Sequence, residues 1–104
     1  MNRGDVYWCC FPTPDQRRPV VILTRESALS FLEAITVVPI TSSVRSSPTY
    51  VRLGLADGLF EECAANLDGI QTVRSTALGE YISRLSSTRM DQIAEAAMFA
   101  FALG

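Results

Sequence analysis

Short β-branched apolar runs, each cut off by proline, glycine or aspartate, follow one another from Val6 to Val73 and constrain the chain to a sheet of short strands. Val6 to Phe11 is apolar and stops at Pro12-Thr13-Pro14-Asp15. Pro19 to Thr24 is apolar on both faces, the pattern of a buried central strand opened by its proline. Ile35 to Ile40 is a third run, with Pro39 marking an edge or a bulge, and Ser42 to Pro48 is a polar loop. Tyr50 to Leu55 alternates, setting Val51, Leu53 and Leu55 on the face opposite Tyr50 and Arg52. Glu61 to Leu67 and Ile70 to Val73 read as strands around an Asp68-Gly69 turn. Two short helices are expected between the strands: one or two turns within Ser27 to Ala34, and another from Ser75, stopped by Gly79.

The C-terminal segment changes period. From Met90 the apolar residues Ile93, Ala94, Ala97, Met98 and Phe101 recur at helical spacing, with Ser86 or Ser87 as the N-cap. The pattern predicts a mainly β (α+β) fold: a small, partly open barrel of strongly curved strands with one amphipathic C-terminal helix. At 104 residues, 48% hydrophobic and 19% charged, the chain is expected to form one domain over 1–104. No uncharged stretch reaches the roughly 18 apolar residues of a membrane span, and Met1 to Asp5 shows no signal-peptide pattern, so a soluble cytoplasmic protein is expected.

Histidine is absent, which excludes Ser-His-Asp and Cys-His nucleophiles, paired-histidine ribonuclease chemistry and a His-ligated zinc. Cys9, Cys10 and Cys63 are odd in number and lack CxxC spacing, so they fit reduced thiols rather than a disulfide framework or a metal site. The net charge of −2 gives no global attraction to nucleic acid. All nine basic residues, however, are arginines. Guanidinium forks match phosphate oxygens bidentately, while a GC-rich genome would enrich arginine without any such role.

Five motifs then stand in order: Arg3-Gly4-Asp5-Val6-Tyr7-Trp8, Arg17-Arg18-Pro19-Val20-Val21-Ile22, Val37-Val38-Pro39-Ile40-Thr41-Ser42, Pro48-Thr49-Tyr50-Val51 and Asp68-Gly69-Ile70-Gln71-Thr72-Val73. Together with the Leu78 to Leu85 segment and the terminal helix, this arrangement resembles the MazF/PemK toxins of bacterial toxin–antitoxin modules over nearly the whole chain. The resemblance implies an SH3-like barrel, a homodimer and a sequence-selective endoribonuclease that cuts single-stranded RNA. It further implies 2′-OH attack leaving a 2′,3′-cyclic phosphate and a 5′-OH, no metal or other cofactor, and inhibition by a cognate antitoxin protein.

Carried over residue by residue, the resemblance places the catalytic pair on Arg18 and Thr41, with Asp68 as the carboxylate candidate. The choice is chemically apt: a fixed guanidinium stabilises charge growing on phosphate oxygens, and Pro19 biases Arg18 to an extended conformation. The expected RNA-binding set is Arg17, Asp15, Ser42, Arg45, Gln71 and Trp8, with Tyr50 and Phe11 as further stacking candidates and Ser46 and Ser47 beside Arg45 on the groove. Taken singly, these residues also have plain structural readings: a solvated arginine, a strand-end hydroxyl, a turn aspartate, core aromatics. The chain departs from the family in its short, glycine-free loop Pro12 to Arg17, in Gly69 and Gln71 within the acidic motif, and in Asn66 where some members carry a second arginine. Two alternatives stay open: a non-enzymatic dimeric toxin of the same fold that poisons gyrase, as CcdB does, and an inactive interaction module. The sole tryptophan at position 8, rather than at the C-terminus, counts against the CcdB-like reading.

Overall fold

A computed structural model describes residues 1–12 and 17–103. Seven strands form one antiparallel sheet: β1 (Asp5–Cys10), β2 (Arg17–Ile22), β3 (Ala34–Thr41), β4 (Tyr50–Leu53), β5 (Cys63–Asn66), β6 (Gln71–Arg74) and β7 (Leu78–Arg84). One helix, α1 (Ser87–Ala100), follows. The order is β4-β5-β3-β2-β1-β7, with β6 also paired to β3, so the sheet curls without closing into a barrel. Its curvature has a local cause. Between β1 and β7 the register slips twice, from Val6↔Ser83 to Tyr7↔Tyr81 and on to Cys9↔Leu78, and such bulges bend and coil a strand.

The two-faced apolar sequence of the central strands is explained by a core on each face. Val6, Val21, Val38 and Ile40 pack with Val51, Leu53, Leu67 and, from α1, Ile93 and Ala96. Cys9, Val20, Ile22, Ile35 and Val37 pack on the other side beneath Tyr7, Leu29 and Leu78. Valine and isoleucine suit such positions because their branched side chains fill both sides of a pleated strand.

Pro39 lies in the central strand β3, and its place there follows from its missing N–H. Thr36 directs its N–H and carbonyl toward the β2 side, donating to Thr24 Oγ1 and accepting from Leu23 N–H. Alternation therefore points the Pro39 nitrogen to the opposite edge. There β5 and β6 run along β3 but are interrupted by the 3-10 turn Leu67–Gly69, and Gly69 packs so close that a Cβ would meet Pro39 Cγ at 3.0 Å. The ladder breaks where it has no donor to lose.

Three local expectations are corrected. Ser75 opens only a 3-10 turn, Ser75–Ala77, and Gly79 lies inside β7 rather than ending a helix, because pairing with β1 overrides the local stop signal. The expected turns in Ser27 to Ala34 shorten to Glu26–Ala28, since Ala34 is drawn into β3. Ser86 caps α1 by accepting the Arg89 N–H, and Met90, Ile93 and Ala97 pack on the core as expected, joined by Ala96 and Ala100, but Met98 and Phe101 stay outside.

Candidate active site

The register between β2 and β3 runs Val20↔Pro39, Val21↔Val38, Ile22↔Val37. Continued two residues beyond Val20↔Pro39, it sets Arg18 opposite Thr41, and one residue further it sets Arg17 opposite Ser42. All four border a cavity of about 350 Å³, together with Trp8, Pro19, Ile40, Ser43, Leu59, Phe60, Glu61 and Cys63. Two motifs more than 20 residues apart in sequence thus meet because antiparallel pairing places the start of one strand beside the end of the next.

Each side chain is held differently. Thr41 Oγ1 accepts the Ser43 N–H at 3.1 Å, which helps to hold the side chain and leaves the hydroxyl hydrogen to donate elsewhere. Arg17 lays its guanidinium 4.6 Å over the Trp8 ring, a cation–π contact on the rim. Trp8 in turn stacks on Phe60, centroids 5.7 Å apart and planes 12° from parallel. Arg18 is exposed and, among the described residues, has no carboxylate partner within salt-bridge distance. By contrast, Arg84 is paired with Asp5 and Arg89 with Asp57. An exposed guanidinium beside an oriented hydroxyl can grip a phosphate from two sides.

Cys63 lines the same cavity but is no nucleophile. Burial raises its thiol above the usual range, Glu61, Asp57 and Glu62 add to the effect, and the protonated sulfur donates to the Leu53 carbonyl at 3.8 Å.

The remaining candidates sit elsewhere. Asp68 lies on the turn between β5 and β6, where its carboxylate accepts the Thr49 hydroxyl at 2.6 Å and its N–H donates to Asn66 Oδ1 at 3.0 Å. It does not border the Arg18–Thr41 cavity. Gln71 is exposed on β6 opposite Val37. Arg45 borders a separate depression of about 300 Å³ with Ser46, Ser47, Tyr50 and Arg52. Phe11 packs against the core cluster around Cys9. Asp15 lies outside the described residues. Sequence reasoning missed Phe60 and Glu61, which the loop after β4 delivers to the cavity. An aromatic followed by two carboxylates was the available signal, but the carboxylates read as the opening of the Glu61 to Leu67 strand, which in the structure starts only at Cys63.

Residues 2–101 match the family model of the PemK-like, MazF-like toxin of type II toxin–antitoxin systems. The chain is 38% identical over 89 residues to endoribonuclease MazF3 of Mycobacterium tuberculosis, covering 86% of each. It superposes on M. tuberculosis toxin MazF-mt6 with a TM-score of 0.89 at 34% identity, over 96% of this chain and 98% of that one. An endoribonuclease solved in complex with its cognate antitoxin, from a mycobacterial species, superposes with a TM-score of 0.90 at 27% identity, over 100% and 97% of the two chains.

Proposed function

The chain belongs to the PemK-like, MazF-like toxins of type II toxin–antitoxin systems, and from that premise we propose that it is a sequence-selective endoribonuclease acting on single-stranded RNA. The observation that carries this reading is the convergence of Arg18 and Thr41 on one cavity rimmed by Trp8 and Arg17.

The 2′-OH of the nucleotide before the cut attacks its own phosphorus. The P–O5′ bond breaks, giving a 2′,3′-cyclic phosphate, and solvent water protonates the departing O5′ to a 5′-OH. The nucleophile belongs to the substrate, so the protein's task is electrostatic stabilisation and positioning. Arg18 donates from its planar fork to the phosphate oxygens as their charge grows. Thr41 donates its hydroxyl hydrogen to the same phosphate, its oxygen already held by Ser43. Glu61 is the carboxylate that borders the cavity among the described residues, and it takes the 2′-OH proton. Asp68, engaged by Thr49, shapes the neighbouring turn along the RNA path. No step requires a metal or a cofactor.

The working unit we propose is a homodimer blocked by an antitoxin. Phe99, Phe101 and Leu103 are each more than half exposed beside Met98, an apolar surface suited to a second copy. A relative solved with its cognate antitoxin supports the second partner. An acidic, largely disordered antitoxin segment would compete with RNA for the arginines.

The test is incubation of purified protein with a long mixed-sequence RNA in EDTA. Discrete fragments bearing cyclic-phosphate and 5′-OH ends are expected, and they should vanish with stoichiometric cognate antitoxin. Intact RNA under these conditions overturns the reading.

A further inference from the structure

Phe60 stands in the loop between β4 and β5, directly after the buried Leu59, and leaves 64% of its surface exposed. Exposing so much of a large aromatic forfeits burial free energy, and here the exposed ring sits at a place where nucleic acid is expected. It stacks on Trp8, whose ring carries the Arg17 guanidinium, so the three make one continuous step beside Arg18 and Thr41. Phe60 also forms part of the boundary with a second cavity of about 490 Å³, bordered by Arg52, Leu55, Glu61 and Arg89. Of the two arginines there, Arg89 is committed to Asp57, whereas Arg52 is exposed and, among the described residues, forms no ion pair.

We propose that Phe60 is a base-stacking residue for single-stranded RNA. A base flanking the scissile phosphate lies on its ring, and the strand continues into the second cavity, where Arg52 meets the next phosphate. The inference rests on the endoribonuclease reading of the Arg18–Thr41 cavity. Stacking fits this ring better than a packing role, because 64% of it stays exposed and its aromatic contact is the half-buried Trp8 on the cavity rim rather than a ring of the core clusters. Every base offers a π-face, so Phe60 sets affinity and the placement of the flanking nucleotide in the cavity. Arg18 and Thr41 act on the phosphate itself.

Three variants separate stacking from bulk: Phe60→Ala, Phe60→Leu and Phe60→Tyr. The probe is a set of ten-residue single-stranded oligodeoxynucleotides, one per base, which lack the attacking hydroxyl. Binding is read from quenching of Trp8, the sole tryptophan. Cleavage of a long RNA is measured in parallel, with thermal denaturation as the folding control. Phe60→Ala and Phe60→Leu should weaken oligonucleotide binding about tenfold to a hundredfold, raising KM more than they lower kcat, while Phe60→Tyr stays near wild type. Folded Phe60→Leu that binds and cuts like wild type overturns the proposal and gives the ring to a protein partner. Equal losses in Phe60→Leu and Phe60→Tyr also overturn it, since they report the loop and not the π-face. A wild type that cuts no RNA yet binds oligonucleotides in a Phe60-dependent way supports the stacking role and defeats the endoribonuclease reading alone.

Discussion

Replacing Arg18 with alanine tests the proposal that this cavity holds the scissile phosphate. The side chain is exposed and makes no ion pair among the described residues, so its removal opens no core void and strands no buried charge. Stability should change by no more than about 0.5 kcal/mol, which keeps the shift in Tm under about 4 °C. The effect on chemistry should be far larger. Loss of one preorganised donor to a developing oxyanion costs about 2.7–4 kcal/mol, or roughly 10²–10³ in rate. Arg18→Lys should recover part of this, because an ammonium keeps the charge but not the planar fork. Thr41→Val removes the facing hydroxyl with little change of shape. If both groups hold the same phosphate, the double variant should lose less than the product of the single losses. The assay is single-turnover cleavage of an oligonucleotide carrying one ribonucleotide at the cut site, in EDTA, across pH 5–9. With no histidine in the chain, no imidazole limb is expected near about pH 6.5. A folded Arg18→Ala enzyme within threefold of wild type, or a strictly multiplicative double variant, would refute the shared-phosphate reasoning.

Three structural predictions are read by denaturation. Asp57 accepts from Gly54 N–H and from Arg89 Nε and Nη2, tying α1 to the turn after β4, so Asp57→Ala should cost about 1.5–3 kcal/mol in urea titration. Gly58 has φ +81°, and an added Cβ would sit 2.5 Å from Ser83 Cβ, so Gly58→Ala should lower stability by about 2 kcal/mol or more. Burial raises the Cys9 and Cys63 thiols, reinforced by Cys10 at the first and by Glu61, Asp57 and Glu62 at the second; the folded state keeps protons that the unfolded chain releases above about pH 8.5. Stability should therefore be flat from pH 7 to 8 and decline as pH rises beyond about 8.5; a rise in Tm across that range would contradict it.

The sequence by itself determined the elements whose signals are local. Val20, Val21 and Ile22 demanded burial on both faces of their strand, and the structure sandwiches them between two clusters. Ser86 or Ser87 marks the start of α1, and Ser86 takes the cap; Pro39 suggests an edge or a bulge, whereas it lies inside the central strand β3, where the 3-10 turn between β5 and β6 leaves its missing N–H uncalled for. The Arg18 and Thr41 pair was legible only through resemblance, because nothing local tells an exposed arginine at a strand start from a functional one. Tertiary structure decided the rest. It turned Gly79 from a helix stop into a strand residue, since pairing with β1 outweighs a single residue's propensity. It kept Met90, Ile93 and Ala97 of α1 on the core, added Ala96 and Ala100 and left Met98 and Phe101 outside, since the structure beneath chooses the contact face of a helix whose apolar residues nearly encircle it. It bound Asp68 to Thr49 away from the cavity and brought Phe60 and Glu61 to its rim. Those placements depend on the β2–β3 register and on the path of the loop after β4, and contacts between residues distant in sequence set both.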